Sequence, residues 1–431
     1  MPQQQRHAPG QPPRKRTMLP DRAAITAYLT ILTGSAGRLL ISLVYFLIVA
    51  NTLTLGEFGL FAAASSTGLI LSRLLAFGFI SPLYRVATVK PRLLGSYLSG
   101  FAGLAALSLP LIAGAGALVY LLLFAGRLAA LPFAVIIVAE VLGWRIVEVV
   151  LIVNNGLRRF RQAALLVIIG SALRTVAALI FVAFGHASLE IWAFAYCAAT
   201  MAGAAIALLA FLPAARWRFV RHLYPRRMAD AVFAGTADIV FYVQSELDKL
   251  LVLGLAGERT AGLYAIAMRV IDLTAMPVRS FNQMLVQKIM KDRGLGSWRR
   301  LIGFEAGIAL VSVAGLAAVI LALQPFPALL GRNVAQAAHL FAPMLLVPAF
   351  RNLVEYHAEL LYARERTGAR ILLLGLLTAL KAGLIAVVMT RFAEGNAWAG
   401  WMNLVFGAVY LVSAGFTYRL LAPGRAPAAS R

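Results

Sequence analysis

The chain has 431 residues, 61% of them hydrophobic and 13% charged. An average soluble domain runs near 45–50% apolar and about 25% charged, so this composition excludes an ordinary soluble fold. The formal net charge of +23 invites a nucleic-acid reading, but the basic residues sit mainly in short stretches between apolar runs. There they act as topology signals and not as a phosphate-reading patch.

In chain order, residues 1–22 are rich in Gln, Pro and Arg and are predicted to form a disordered basic tail. The run 23–51 is too long for the apolar core of a signal peptide and is expected to persist as the first membrane helix. Crossing a hydrocarbon core of ~30 Å takes roughly 20 helical residues. Twelve segments meet that need: 23–51, 58–80, 94–123, 131–154, 162–184, 188–212, 229–255, 261–286, 301–323, 336–361, 370–390 and 397–418. A kink is expected at Pro110 in the third. The predicted fold class is therefore an all-α membrane protein of about twelve transmembrane helices. It divides into a first lobe over 23–212, a linker over 213–228, a second lobe over 229–420 and a disordered tail over 421–431. Trp217, Phe219, Leu223 and Tyr224 alternate with arginines in the linker, as in a segment lying on anionic lipid.

Basic residues in short loops are retained on the cytoplasmic side. Alternate loops, counted with both tails, hold 27 Lys and Arg residues, and the intervening loops hold four: Arg127, Arg259, Arg332 and Arg391. Both termini are accordingly expected in the cytoplasm. The loops on the other side are short and leave no room for a catalytic domain. Cys197 is the only cysteine, and His7, His186, His222, His339 and His357 show no metal-ligand spacing. No phosphate-binding Gly-rich loop precedes a Lys. No catalytic residue, metal or cofactor is expected, and neither is nucleic acid.

The two sets of six helices look like copies. Gly59-Leu60-Phe61-Ala62 opens the second span and Gly262-Leu263-Tyr264-Ala265 the eighth, while Ser171-Ala172-Leu173-Arg174 and Thr378-Ala379-Leu380-Lys381 lie in the fifth and eleventh. The offsets are nearly equal. Crossing six helices preserves orientation, so the repeat is parallel and its axis runs along the membrane normal.

Ionisable side chains at mid-membrane are costly and normally face a bundle interior or a hydrated cavity. Arg38, Arg73, Arg145 and Arg174 lie in the first six spans, and Lys249, Arg269, Arg279, Arg351 and Lys381 in the last six. The repeat pairs Arg73 with Arg279, Arg145 with Arg351, and Arg174 with Lys381. Arg38, Arg73, Arg145, Arg174, Arg269, Arg279, Arg351 and Lys381 are the candidate anion-binding set. Glu148, Asp238, Asp248, Asp272 and Glu355 are the candidate coupling or charge-balancing acids. Arg269 with Asp272, Arg145 with Glu148 and Arg351 with Glu355 stand at ion-pair spacing, and local pairing is expected for Arg269 and Arg351. Arg38, Arg73 and Arg174 have no acid within four residues and need partners from elsewhere. The buried charge sums to +2 in the first half and −2 in the second.

The run from Ile48 through Asn51-Thr52-Leu53-Thr54-Leu55-Gly56-Glu57-Phe58 to Ala62 resembles the first interhelical junction of polysaccharide-biosynthesis flippases of the Wzx type, in the superfamily that includes the MATE exporters. Asp248 to Gly257 followed by Ala261-Gly262-Leu263-Tyr264-Ala265 resembles their seventh junction, and Gly156-Leu157-Arg158-Arg159-Phe160-Arg161 their basic loop before the fifth helix. The resemblance implies a MATE-like fold of two pseudo-symmetric six-helix lobes in the bacterial inner membrane. It further implies a polyprenyl-diphosphate-linked oligosaccharide as substrate, moved by alternating access for surface polysaccharide synthesis. Membrane lipids and polysaccharide polymerase or export proteins are its implied partners, and sodium ions or protons the candidate coupling ions. Two alternatives stay open: a cation-coupled exporter of MATE type, and a membrane enzyme that polymerises or ligates the same glycans.

Overall fold

In the computed structural model, residues 40–421 are described except 186–187, 222–223, 276–277, 279–280, 283–297, 327 and 393–395. The two tails predicted to be disordered, Arg38 and Arg279 therefore lie outside the described residues, apart from Leu421. Among the described residues the secondary structure is entirely helical.

The first span is seen as α1 (Leu40–Thr52). It turns at Leu53 and Thr54 into α2 (Leu55–Ser72), where Thr54 and Glu57 form a reciprocal capping box. The Glu57 carboxylate accepts from the Thr54 amide at 3.0 Å, while its other oxygen accepts from the Leu189 amide at 3.1 Å. Two orphan amides at this junction are thereby satisfied by one side chain. The second span does not end near residue 80 as expected. It breaks after Ser72, passes through left-handed backbone at Ala76 and Phe77, and resumes as α3 (Ile80–Val89).

The third span is α4 (Leu94–Val119), continuous across Pro110 and finished by a π-turn at Tyr120–Phe124. Pro110 lies inside this helix on an exposed position and does not interrupt it. The fourth span comprises α5 (Ala130–Val138), a π-bulge at Ala139–Trp144 and α6 (Arg145–Gly156). α7 (Phe160–Ala183) and α8 (Leu189–Ile206) complete the first half. Residues 213–220 have no regular secondary structure, and the seventh span begins at Pro225, four residues before the expected start.

The seventh and eighth spans run through α9 (Pro225–Thr274), two helical stretches joined at Gly257, whose φ of 82° and ψ of 176° break the helix. Only glycine takes that left-handed geometry without strain. α10 (Trp298–Leu323) follows. The tenth span is broken into α11 (Arg332–Ala338) and α12 (Val347–Ala363), with turns between. α13 (Thr367–Arg391) and α14 (Trp398–Leu421) close the chain.

Among the described residues, seven helices are long and apolar enough to cross a membrane by length and composition alone. They lie in the second, third, fifth, sixth, ninth, eleventh and twelfth spans. Their outer faces present large apolar side chains, such as Leu209 at 87% exposure and Leu310 at 70%. Such faces suit lipid and not water. The fourth, seventh, eighth and tenth spans are bulged, bent or charged. These carry Arg145, Asp238, Arg269 and Arg351, so polarity is concentrated where helices meet one another and not lipid.

The repeat is visible in the packing. α2 ends at Ser72 and α9 at Thr274, in the second and eighth spans, and the fourth and tenth spans are interrupted at corresponding depth. Gly59 of α2 lies against Gly262 of α9: a Cβ on Gly262 would land on the Leu55 carbonyl, and one on Gly59 on the Glu258 carbonyl. The two copies of the repeated motif thus touch each other. A second pair of contacts obeys the same symmetry. Asn333 Nδ2 donates to the Ala50 and Leu53 carbonyls at 2.7 Å each, joining the start of the tenth span to the end of the first. Arg127 Nη1 donates to the Leu253 carbonyl at 2.7 Å, joining the start of the fourth to the end of the seventh. These contacts seal the halves together on the face opposite the basic loops.

Candidate functional site: a charged cleft between the halves

Between the halves lies a cavity of about 570 Å³ bounded by α1, α2, the π-bulge of the fourth span, α7, α8 and α9. A neighbouring cavity of about 290 Å³ extends into the second half, sharing Tyr242, Glu246, Arg269 and Asp272 with the first and adding Arg351 and Glu355. Polar groups thus converge in an otherwise apolar bundle.

The predicted cations separate into two groups. In the first, Arg73 Nη1 meets Glu148 Oε1 at 2.8 Å and Arg145 Nη1 meets Glu148 Oε2 at 2.7 Å, with both arginines 1% exposed. Asp238 of α9, half-exposed, stands 4.0 Å from each guanidinium, and the Tyr242 ring covers Arg73 at 3.7 Å. One buried carboxylate serving two guanidiniums needs this extra negative charge, and it comes from the other half. Arg351 pairs with Asp272 of α9 at 3.3 Å. Lys381 of α13 stands 3.9 Å from Asp248 and donates to the Gln244 carbonyl, while the Tyr264 hydroxyl donates to Asp248 at 2.7 Å. These four cations are structural neutralisers as placed. Glu148, Asp238, Asp248 and Asp272 are their counter-charges, and Glu355 lines the second cavity.

The second group is Arg174 and Arg269. Arg174 of α7 donates to the Gly170 carbonyl at 3.3 Å and lies over Trp144 at 4.8 Å and Tyr45 at 5.8 Å. Arg269 of α9 donates to Ser42 Oγ at 2.7 Å. Among the described residues neither enters an ion pair, and both line the central cavity from opposite halves. This corrects the expected local pairing of Arg269 with Asp272, and of Arg351 with its own-helix acid. Asp272 faces Arg351 across a helix boundary and leaves Arg269 to the cavity. Stacking on aromatic faces holds a guanidinium in place while leaving its donor edge free for a planar or tetrahedral anion.

Other residues, outside the candidate anion-binding and charge-balancing sets, complete the cleft. Lys249 Nζ and Ser66 Oγ both donate to Glu246 Oε2, at 2.6 and 2.7 Å. Glu140, in the π-bulge, accepts from Ser65 Oγ and Tyr196 Oη at 2.6 Å each. A glutamate within an apolar span was the available signal for Glu140. Nothing in the order of residues says that hydroxyls from α2 and α8 would meet it. A separate cluster lies inside the second half, where His357 Nε2 meets Glu305 at 2.7 Å and Nδ1 meets Ser413 Oγ at 3.0 Å, with Tyr410 and Tyr418 also donating to Glu305. It joins α10, α12 and α14 and does not line the cleft.

Fold and cleft together are those of a multi-pass helical membrane protein. Its fold resembles that of solved transporters of the MOP superfamily. The chain is similar to the lipid II flippase MurJ in an inward closed conformation, with TM-score 0.63, 11% identity, 91% of this chain and 87% of that one covered. It is also similar to an inward-facing multidrug resistance MATE family transporter, with TM-score 0.59, 14% identity and coverage of 89% and 94%. A MOP superfamily transporter from Pyrococcus furiosus, described as having a binding pocket of reverse polarity, aligns with TM-score 0.59, 15% identity and coverage of 93% and 96%. No family profile and no curated protein sequence matches the chain.

Proposed function

We propose that this protein is a flippase that carries a polyprenyl-diphosphate-linked oligosaccharide across the bacterial inner membrane by alternating access, for surface polysaccharide synthesis. The observation that carries this reading is the placement of Arg174 and Arg269. Two guanidiniums with no ion-pair partner among the described residues face one cavity from opposite halves. A diphosphate cannot cross hydrocarbon unaccompanied, and Arg forks bind phosphate oxygens bidentately while remaining charged. The prenyl chain stays in lipid while the head group traverses the cleft. The short loops and the resemblance at residues 48–62 and 248–265 support a carrier over a polymerase or ligase. The cavity's acids are engaged by cations or hydroxyls, which favours an anionic cargo over the cationic drug of an exporter.

In this reading the tails and residues 213–228 face the cytoplasm, and the sealed face is the outer one. The test is delivery of lipid-linked oligosaccharide to the outer leaflet by proteoliposomes. Arg174→Ala and Arg269→Ala, each inserted and folded, are expected to reduce delivery at least tenfold, with Arg174→Lys recovering part of it. Wild-type delivery by both alanine variants refutes the reading.

A further inference from the structure

Among the described residues, the acids that line the central cavity stand against cations with one exception. Glu148 holds Arg73 and Arg145, Asp272 faces Arg351, Asp248 faces Lys381, and Glu246 binds Lys249. Glu140 lines the central cavity, is only 2% exposed, and among the described residues enters no ion pair. Its partners are hydroxyls alone. Ser65 Oγ and Tyr196 Oη both donate to Oε1, and Oε2 takes no hydrogen bond from a described residue. The backbone is adapted to this placement, since Glu140 lies in the π-bulge and its Cβ and Cγ pack against Gly68, where any side chain would collide. π-bulges are frequent at functional sites because they re-aim one side chain within an otherwise regular helix.

We propose that Glu140 is a proton-binding site whose occupancy is linked to anion binding at Arg174 and Arg269 in the same cavity. The linkage rests on the anionic cargo argued above; the proton site does not. A carboxylate already neutralised by arginine gains little from a proton. One removed from water with only neutral donors is relieved of its charge by protonation.

The groups facing it define the coupling. Tyr45 of α1, Arg174 of α7 and Tyr196 of α8 surround it from the first half, and Glu246, Lys249, Arg269 and Asp272 of α9 from the second. When Glu140 is ionised, its charge offsets that of Arg174 across the cavity. The neutral acid leaves the full field of both arginines to an incoming anion. Proton and anion therefore bind cooperatively, and by reciprocity the bound anion strengthens proton binding. A carrier built this way takes up its cargo and a proton together and releases them together.

The experiment uses the full chain in lipid nanodiscs. Infrared difference spectra recorded between about pH 9 and about pH 5 span the range in which a buried carboxylic acid titrates. They should show a protonated-carboxyl band that disappears in Glu140→Gln. Ser65→Ala and Tyr196→Phe each remove a donor to the ionised form and should move the band's midpoint to higher pH. They preserve the test should Glu140→Gln fail to fold. Farnesyl diphosphate is the anion probe. Its affinity for the wild type should fall on raising the pH, whereas Glu140→Gln should bind roughly tenfold more tightly than the wild type at the alkaline end and lose most of the wild-type pH dependence.

A wild-type spectrum without the band, or a band retained in Glu140→Gln, overturns the proton site. A band that follows sodium concentration at fixed pH overturns it also. Equal pH dependence of probe binding in wild type and Glu140→Gln overturns the linkage. Failure of the wild type to bind farnesyl diphosphate at any pH, with the Glu140 band intact, overturns the phosphate reading and the linkage while leaving the proton site standing.

Discussion

Glu148→Gln is the most informative single change, because one side chain carries the balance of a buried three-helix network. The substitution preserves shape but removes the charge that meets Arg73 at 2.8 Å and Arg145 at 2.7 Å. Each charge-assisted bond is worth about 1.5–3 kcal/mol, so the two together suggest roughly 3–6 kcal/mol. Breaking a buried ion pair by removing one partner costs about 3–5 kcal/mol, which agrees. Asp238, half-exposed and 4.0 Å from both guanidiniums, compensates only partly. Arg73 Nε and Nη2 and Arg145 Nε already have no hydrogen-bond partner, so the network has no spare acceptor. In a lobe-sized unit the loss corresponds to a fall in Tm of about 6–15 °C, read by circular dichroism in detergent or nanodiscs. Removing Arg145 as well, as Arg145→Met, leaves Arg73 facing Asp238 one to one. The double variant should therefore be more stable than Glu148→Gln alone, with a coupling energy of about 1–3 kcal/mol. An unfolding midpoint within about 1 °C of wild type for Glu148→Gln, or strict additivity in the double variant, would refute the reasoning.

Three further outcomes follow from the packing. Gly262→Ala places a methyl group on the Leu55 carbonyl and should cost about 1–3 kcal/mol of the contact between halves. Spin labels at Ala129→Cys and Arg259→Cys on the sealed face should then report a longer distance, and an unchanged distance distribution counts against that role. Asn333→Ala abandons the buried Ala50 and Leu53 carbonyls and should lose about 1–3 kcal/mol in the same assay and in thermal unfolding. His357→Ala empties a fully buried site and strips Glu305 and Ser413 of a partner, so stability should fall by about 2–4 kcal/mol. Transport by folded His357→Ala protein at low temperature should persist, because the cluster lies outside the cleft; abolished transport would place it within the working machinery.

The helical fold was legible because hydropathy is a local property of the chain. The repeated Gly59 and Gly262 motifs proved to be contacts with one another. Pairing of charges was much less legible. Arg145 found Glu148 three residues away, as helix spacing allows, but Arg73 took the same acid from another helix and Arg351 took Asp272 of α9. Four-residue spacing shows which side chains can meet on one helix, and says nothing of what a neighbouring helix offers at lower cost. The break at Ala76 and Phe77 carried no glycine or proline signal of its own at those two positions. It is imposed by close packing of Gly78 against Ala231 and Gly235 of α9. Glu140 is an acid in an apolar span, and only the placement of Ser65 and Tyr196 from two other helices shows that its partners are hydroxyls.

The meeting of Gly59 with Gly262 is an isologous interface folded into a single chain, the arrangement by which two identical subunits join about a twofold axis. In a homodimer any change there strikes both sides at once and must suit its own image. Here the two sides have separate codons, so each can vary independently. The axis can remain tight while the walls beside it diverge. That freedom accounts for a first half that presents Arg174 and Glu140 to the cleft and a second half that presents Arg269 and Lys249: likeness is kept where the two glycines touch and relinquished where the cleft opens.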